Sequence, residues 1–132
     1  MITLYDIANC DDLFAVDKYL QNIGNYDLLT PEEEQELLGR AVEGNEEAFD
    51  KVLCANLRFT VSVANQYQNK GLSLRQLFKE SLQGLANAIK ASASRPNDER
   101  FIRFAVPFMR QAIEDAIADF EERSQEEEEL PF

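Results

Sequence analysis

Histidine and tryptophan are absent from this 132-residue chain, and cysteine occurs only as Cys10 and Cys54. Without histidine there is neither a histidine-centred triad nor a Cys/His zinc set, and two cysteines cannot build the disulfide framework of a small secreted domain. No metal or cofactor is therefore expected, and the thiols suit a reducing, cytoplasmic compartment. Proline, with 4, and glycine, with 5, are sparse, which leaves room for long uninterrupted elements. No apolar run approaches the roughly 18 residues of a membrane span, and the opening MITLYDIANCDD lacks the basic start of a signal peptide. A soluble protein that stays inside the cell, with no membrane contact, is expected.

Positive charge is scarce as well: 13 Lys and Arg stand against 25 Asp and Glu, a net charge of -12. Such a balance repels phosphates, so sequence-independent nucleic-acid binding by the whole chain is not expected. The distribution is uneven. Residues 51–110 hold ten cations against three acids, residues 1–50 two against thirteen, and residues 111–132 one against nine. The basic middle can meet an acidic partner or fold back on its own acidic ends. A hydrophobic content of 45% in a chain of this length suits one domain with its own core.

What is present follows helical periodicity throughout, and no strand is expected. The fold class is all-α, a single helical domain. After a loose segment at 1–12, Asp12 caps a helix over 13–23 whose Leu13, Val16, Tyr19 or Leu20, and Ile23 form one stripe. Thr30-Pro31-Glu32-Glu33 is a capping box with proline at the first helical position, opening a helix over 31–43. Asn45 caps a helix over 46–55, with Ala48, Phe49, Val52 and Leu53 facing inward. A further helix over 57–69 carries Leu57, Val61, Ala64 and Tyr67 on one face, with Phe59 and Val63 beside it. Ser73-Leu74-Arg75-Gln76, a second capping box, opens a helix over 74–91 whose Leu77, Phe78, Leu82, Leu85, Ala88 and Ile89 form a stripe. Beyond a loop at 92–98, an apolar period runs from Phe101 to Phe120. Pro107 interrupts it, and the missing donor and ring clash predict a bend or a fresh start there, giving a helix over 107–122. The acidic tail, 123–132, is expected to be disordered or loosely helical.

The acids invite two chemical readings. Glu32, Glu33, Glu34 and Glu36 could hold a metal, but acids at a helix start are ordinarily solvated and complement the helix dipole, which is the reading adopted. Glu126 to Glu129 either solvate the tail or lie on the basic middle, and solvation is favoured. Nothing else points to an enzyme.

Longer motifs speak more clearly. Asn56-Leu57-Arg58-Phe59-Thr60-Val61-Ser62-Val63-Ala64, followed by Gln66-Tyr67-Gln68-Asn69-Lys70-Gly71-Leu72-Ser73-Leu74, resembles without a gap the N-L-R-x-V-V-S-x-A-x-x-Y-x-x-x-G-L-S core of region 2 in the bacterial sigma-70 family. Upstream, Tyr19 to Gly24 and Leu28 to Glu34 resemble region 1.2. Downstream, Phe108 to Ile113 and Ala116 to Asp119 resemble region 2.4. The resemblance covers about 13–122, with 13–56 as region 1.2-like helices leading into region 2 and 57–122 as a region 2-like domain.

The resemblance implies a helical domain that docks on the clamp helices of the largest subunit of RNA polymerase and handles the non-template strand of promoter DNA. The family's docking segment D-L-I-Q-E-G-N-x-G-L corresponds to Gln76 through Leu85, so the implied polymerase-binding residues are Gln76, Lys79, Glu80, Leu82, Gln83 and Asn87. Gln76 replaces the aspartate, Lys79 the glutamine and Leu82 the asparagine. The implied DNA-binding residues are Arg100, Phe101, Arg103, Phe104, Phe108, Arg110, Gln111 and Glu114. Here Pro107 replaces a tryptophan, and Glu114 and Asp115 replace a threonine and an arginine. For the phenylalanines, core packing is favoured over base stacking, the latter being worth about 1–3 kcal/mol per base.

The chain ends where region 2 ends, so a complete primary sigma factor is not expected. The expected function is that of a bacterial sigma-70-like transcription protein acting with polymerase, or with a sigma-related regulator, in initiation or its regulation, and binding promoter DNA only weakly or within a complex. The alternative is a helical protein–protein adaptor that keeps the fold and acts on neither polymerase nor promoters.

Overall fold

The computed structural model describes residues 27–95 and 99–128, with side chains described as far as Gln125. The loose segment 1–12, the helix expected over 13–23 and the last four residues lie outside the described residues. Among the described residues five α-helices follow in order: α1 Pro31–Val42, α2 Glu46–Ala55, α3 Leu57–Asn65, α4 Leu74–Lys90 and α5 Phe101–Glu128, with a 3-10 turn at Ser92–Ser94 between the last two. No strand occurs among the described residues, so the fold is all-α.

The helix starts form where the sequence places caps. Thr30 accepts from the Glu33 amide while Glu33 returns a carboxylate to the Thr30 amide, both at 3.2 Å. Ser73 and Gln76 repeat this box at α4, and Asn45 accepts from the Ala48 amide at 2.9 Å. Each cap satisfies donors that the helix itself leaves open and contributes about 1 kcal/mol.

The core is one cluster in which α4 is the central element, packed along α5 and against α3. Leu77, Leu82, Leu85 and Ile89 of α4 meet Phe101, Ala105, Met109 and Ile113 of α5, all fully buried. Close approach of the two helices depends on Gly84, where a Cβ would lie 2.5 Å from Met109 Cα and from the Phe108 carbonyl oxygen. Ser81 is buried in this apolar seam and resolves its hydroxyl by donating to the Thr60 carbonyl of α3 at 3.0 Å.

Two expected boundaries are corrected. The helix expected over 57–69 ends at Asn65, because the chain then turns through Asn69 at φ 69° and Gly71 at φ 110°. Gly71 is required there by its φ, which is unfavourable for other residues; a Cβ would also press on the partly exposed Phe120 ring, which would have to shift. Pro107 does not begin α5, which passes through it from Phe101 to Glu128. Pro107 and Arg103, whose carbonyl loses its intrahelical donor, are both exposed residues, while Ala105 and Met109 on either side of the proline are fully buried. Packing thus outweighs the roughly 3 kcal/mol that proline costs in a helix interior. The same helix continues through part of the expected acidic tail, to Glu128.

Candidate functional site

Two surfaces carry the candidate residues, one on α4 and one on α5. On α4, Gln76, Lys79, Glu80, Gln83 and Asn87 recur at steps of three and four and occupy the face away from the core, with Gln76 and Asn87 exposed and the three between them half-buried. Gln83 donates to the Asn87 side chain at 3.2 Å, and Gln76 also serves the Ser73 cap. Leu82 leaves this set. The sequence stripe puts it inside, the resemblance puts it among the docking residues, and its exposure is 0%.

The N-terminal half of this face forms one wall of a groove with the C-terminal half of α5. Leu72, Gln76, Lys79 and Glu80 stand on one side, Ala116, Asp119, Phe120 and Arg123 on the other. Phe120 is 39% exposed.

On α5 the candidate DNA residues separate by depth. Phe101 is fully buried and unavailable to a ligand. Phe104 and Phe108 are half-buried against the core, their ring centroids 5.0 Å apart and tilted by 46°. Arg103, Arg110, Gln111 and Glu114 are exposed. Arg110 donates to Gln66 at 2.7 Å, Gln111 to Asp115 at 2.8 Å, and the Tyr67 hydroxyl to Glu114 at 2.8 Å. Burial pushes the Tyr67 phenol above its ordinary range, and the Glu114 carboxylate that accepts from it adds to the shift; Arg110 opposes it.

Arg100 is half exposed but engaged by the protein itself. Its guanidinium lies 3.4 Å from the Glu34 carboxylate and 3.3 Å from the Leu29 carbonyl. Glu34, only 6% exposed, also accepts from the Phe101 amide at 2.9 Å. It is therefore an N-terminal cap for α5 supplied by α1, and the expectation of a solvated acid fails at this position. Beside it lies a pocket walled by Leu28, Ala55, Asn56, Phe59, Arg100 and Ile102, which sequence reading did not assemble, since its walls come from three separate stretches. Among the described residues no group of three or more acids and cysteines is arranged to hold a metal ion, and no helix is long and apolar enough to cross a membrane.

Comparison with known proteins agrees with the motifs on these helices. The family model for sigma-70 factor, region 1.2, matches residues 15–47. A protein named RNA polymerase sigma factor SigA from a Bacillus species is 38% identical over 101 residues, which cover 76% of this chain and 26% of that relative. Its namesake from Clostridium acetobutylicum is 39% identical over the same length and shares. The chain spans about a quarter of the length of the curated relatives it matches. With region 1.2 recognised across α1 and identity extending over most of the chain, the protein belongs to the sigma-70 family.

Proposed function

We propose that this chain is a sigma-70-like transcription protein that associates with bacterial RNA polymerase in initiation or its regulation, and that its own promoter binding is weak. The observation that carries the reading is the polar stripe Gln76, Lys79, Glu80, Gln83 and Asn87, presented together on one side of α4, its first four members within the segment that resembles the family's docking segment. The curated relatives are named as RNA polymerase sigma factors, which supports polymerase core as the partner, with the clamp helices of its largest subunit as the docking point. Cytoplasmic residence and the lack of a catalytic role follow from this reading.

Weak DNA binding is supported by charge. Glu114, Asp115, Asp119, Glu121 and Glu122 are exposed along α5, while Arg100 is engaged by Glu34 and Phe101 is buried. Carboxylates in that position repel phosphates, and most non-specific affinity comes from phosphate contacts. The test is an affinity measurement with core polymerase from the native host. Lys79→Glu and Gln83→Ala are expected to weaken the complex; unchanged affinity in both would place the contact off α4.

A further inference from the structure

We propose that two copies of this chain associate through the outward face of α5, antiparallel about a two-fold axis. Each copy sets the basic first half of that helix against the acidic second half of the other. The inference does not depend on polymerase docking and stands or falls separately from it.

α5 turns Ala105, Met109 and Ile113 into the core. Its opposite side carries Arg103, Pro107, Arg110, Glu114, Ala118 and Glu121, a row at steps of three and four in which every member is exposed. The row changes sign along its length. From Arg100 to Ile113 the chain has no acid, whereas from Glu114 to Glu128 it has eight acids and one cation, Arg123, which already pairs with Asp119. The helix runs unbroken through this change of sign. Its acidic half therefore cannot fold back onto its own basic half, and that complementarity is open only to another molecule.

Helical spacing fixes the register. An axis between positions 115 and 116 sets Arg110 opposite Glu121 of the second copy and Arg103 opposite position 128, which is again a glutamate in the sequence. Both members of each charge pair lie two turns apart along the row, so one register satisfies them together, and the symmetry repeats them. A parallel pairing would instead place arginine on arginine and glutamate on glutamate. Arg103 and Glu121 have no ion-pair partner among the described residues. Arg110 uses one nitrogen for Gln66 and has further donors left. Glu114 and Asp115, next to the axis, are held within their own chain by the Tyr67 hydroxyl and the Gln111 amide. Pro107 and Ala118 offer little apolar area, so the association is weak and salt-sensitive. It covers Arg103, Arg110 and Glu114, three of the positions that the family resemblance assigns to DNA.

The experiment is sedimentation velocity of the full chain over a concentration series, at low and at high salt, with Arg110→Glu, Glu121→Arg, Arg103→Glu and the combined Arg110→Glu, Glu121→Arg variant. For the unaltered chain the sedimentation coefficient is expected to rise with concentration at low salt and to stay at the monomer value at high salt. Each single variant is expected to weaken association roughly tenfold, and the combined variant, which restores the pair with its charges exchanged, to recover it. Thermal melts identify any variant that fails to fold, and Arg103→Glu, at a position with no side-chain partner among the described residues, carries the test if Arg110→Glu does. An unaltered chain that remains monomeric at low salt would overturn the proposal. Association that the single variants leave unchanged, or that the combined variant does not recover, would also overturn it.

Discussion

Glu34 links the two ends of the described fold, since one carboxylate serves both the Phe101 amide and the Arg100 guanidinium. Glu34→Ala removes the acceptor from a buried amide and is expected to cost about 1–3 kcal/mol in denaturant unfolding, with Glu34→Gln costing less because an oxygen remains. A change below about 0.5 kcal/mol would put the residue among ordinary surface acids. Tyr67 supplies a second residue-scale test. Its phenol is raised by burial and by its bond to Glu114, so it stabilises the fold below the ordinary tyrosine range and that contribution disappears as pH rises through its own higher value. In an ultraviolet titration a component ionising above the ordinary tyrosine range is expected, and Tyr67→Phe is expected to remove it. Neither role was legible beforehand. Glu34 sits in a run of acids that reads as a solvated helix start, and only the return of α5 to α1 after more than sixty residues of chain distinguishes it from Glu33.

At the scale of elements, the starts of α1, α2 and α4 were legible because Thr30, Asn45 and Ser73 cap through contacts three residues away, and local chemistry settles them. A fresh helix start at Pro107 was expected and does not occur, because the outcome depends on tertiary packing: the flanking core residues hold the helix through it. Pro107→Ala restores the missing backbone donor and is expected to stabilise the protein by about 1–2 kcal/mol, the helix gain being offset in part by a freer unfolded chain. A lower melting temperature would instead give the proline a packing role. The α4–α5 seam is tested by Gly84→Ala, whose methyl would meet the α5 backbone at 2.5 Å. Overpacking against backbone is expected to cost about 1–3 kcal/mol, and a neutral result would mean that the two helices part easily. Leu82 illustrates the same division. A motif position suggested a surface contact, and the helical stripe, which put it inside, was the better guide.

Across the whole molecule, a net charge of -12 and an acidic second half of α5 oppose promoter DNA, and the family motifs point to polymerase. At physiological salt the unaltered chain is expected to bind promoter fragments weakly or not at all. Glu114→Thr combined with Asp115→Arg is expected to tighten binding to single-stranded and forked DNA, with a steeper salt dependence; submicromolar binding by the unaltered chain would mean that the acidic face turns away from DNA. The overall helical class and the location of both candidate surfaces were readable from periodicity and motifs. The groove between α4 and the C-terminal half of α5 was not, because it joins Leu72, Gln76 and Lys79 to Ala116 and Phe120, some forty residues apart in sequence. The central claim, docking on polymerase in the manner of a sigma factor, is tested most directly by competition: core polymerase from the native host is loaded with the labelled chain and titrated with that host's full-length primary sigma factor. Displacement of the chain in step with sigma binding is the expected result; a stable complex holding both proteins, or no loading at all, would contradict it.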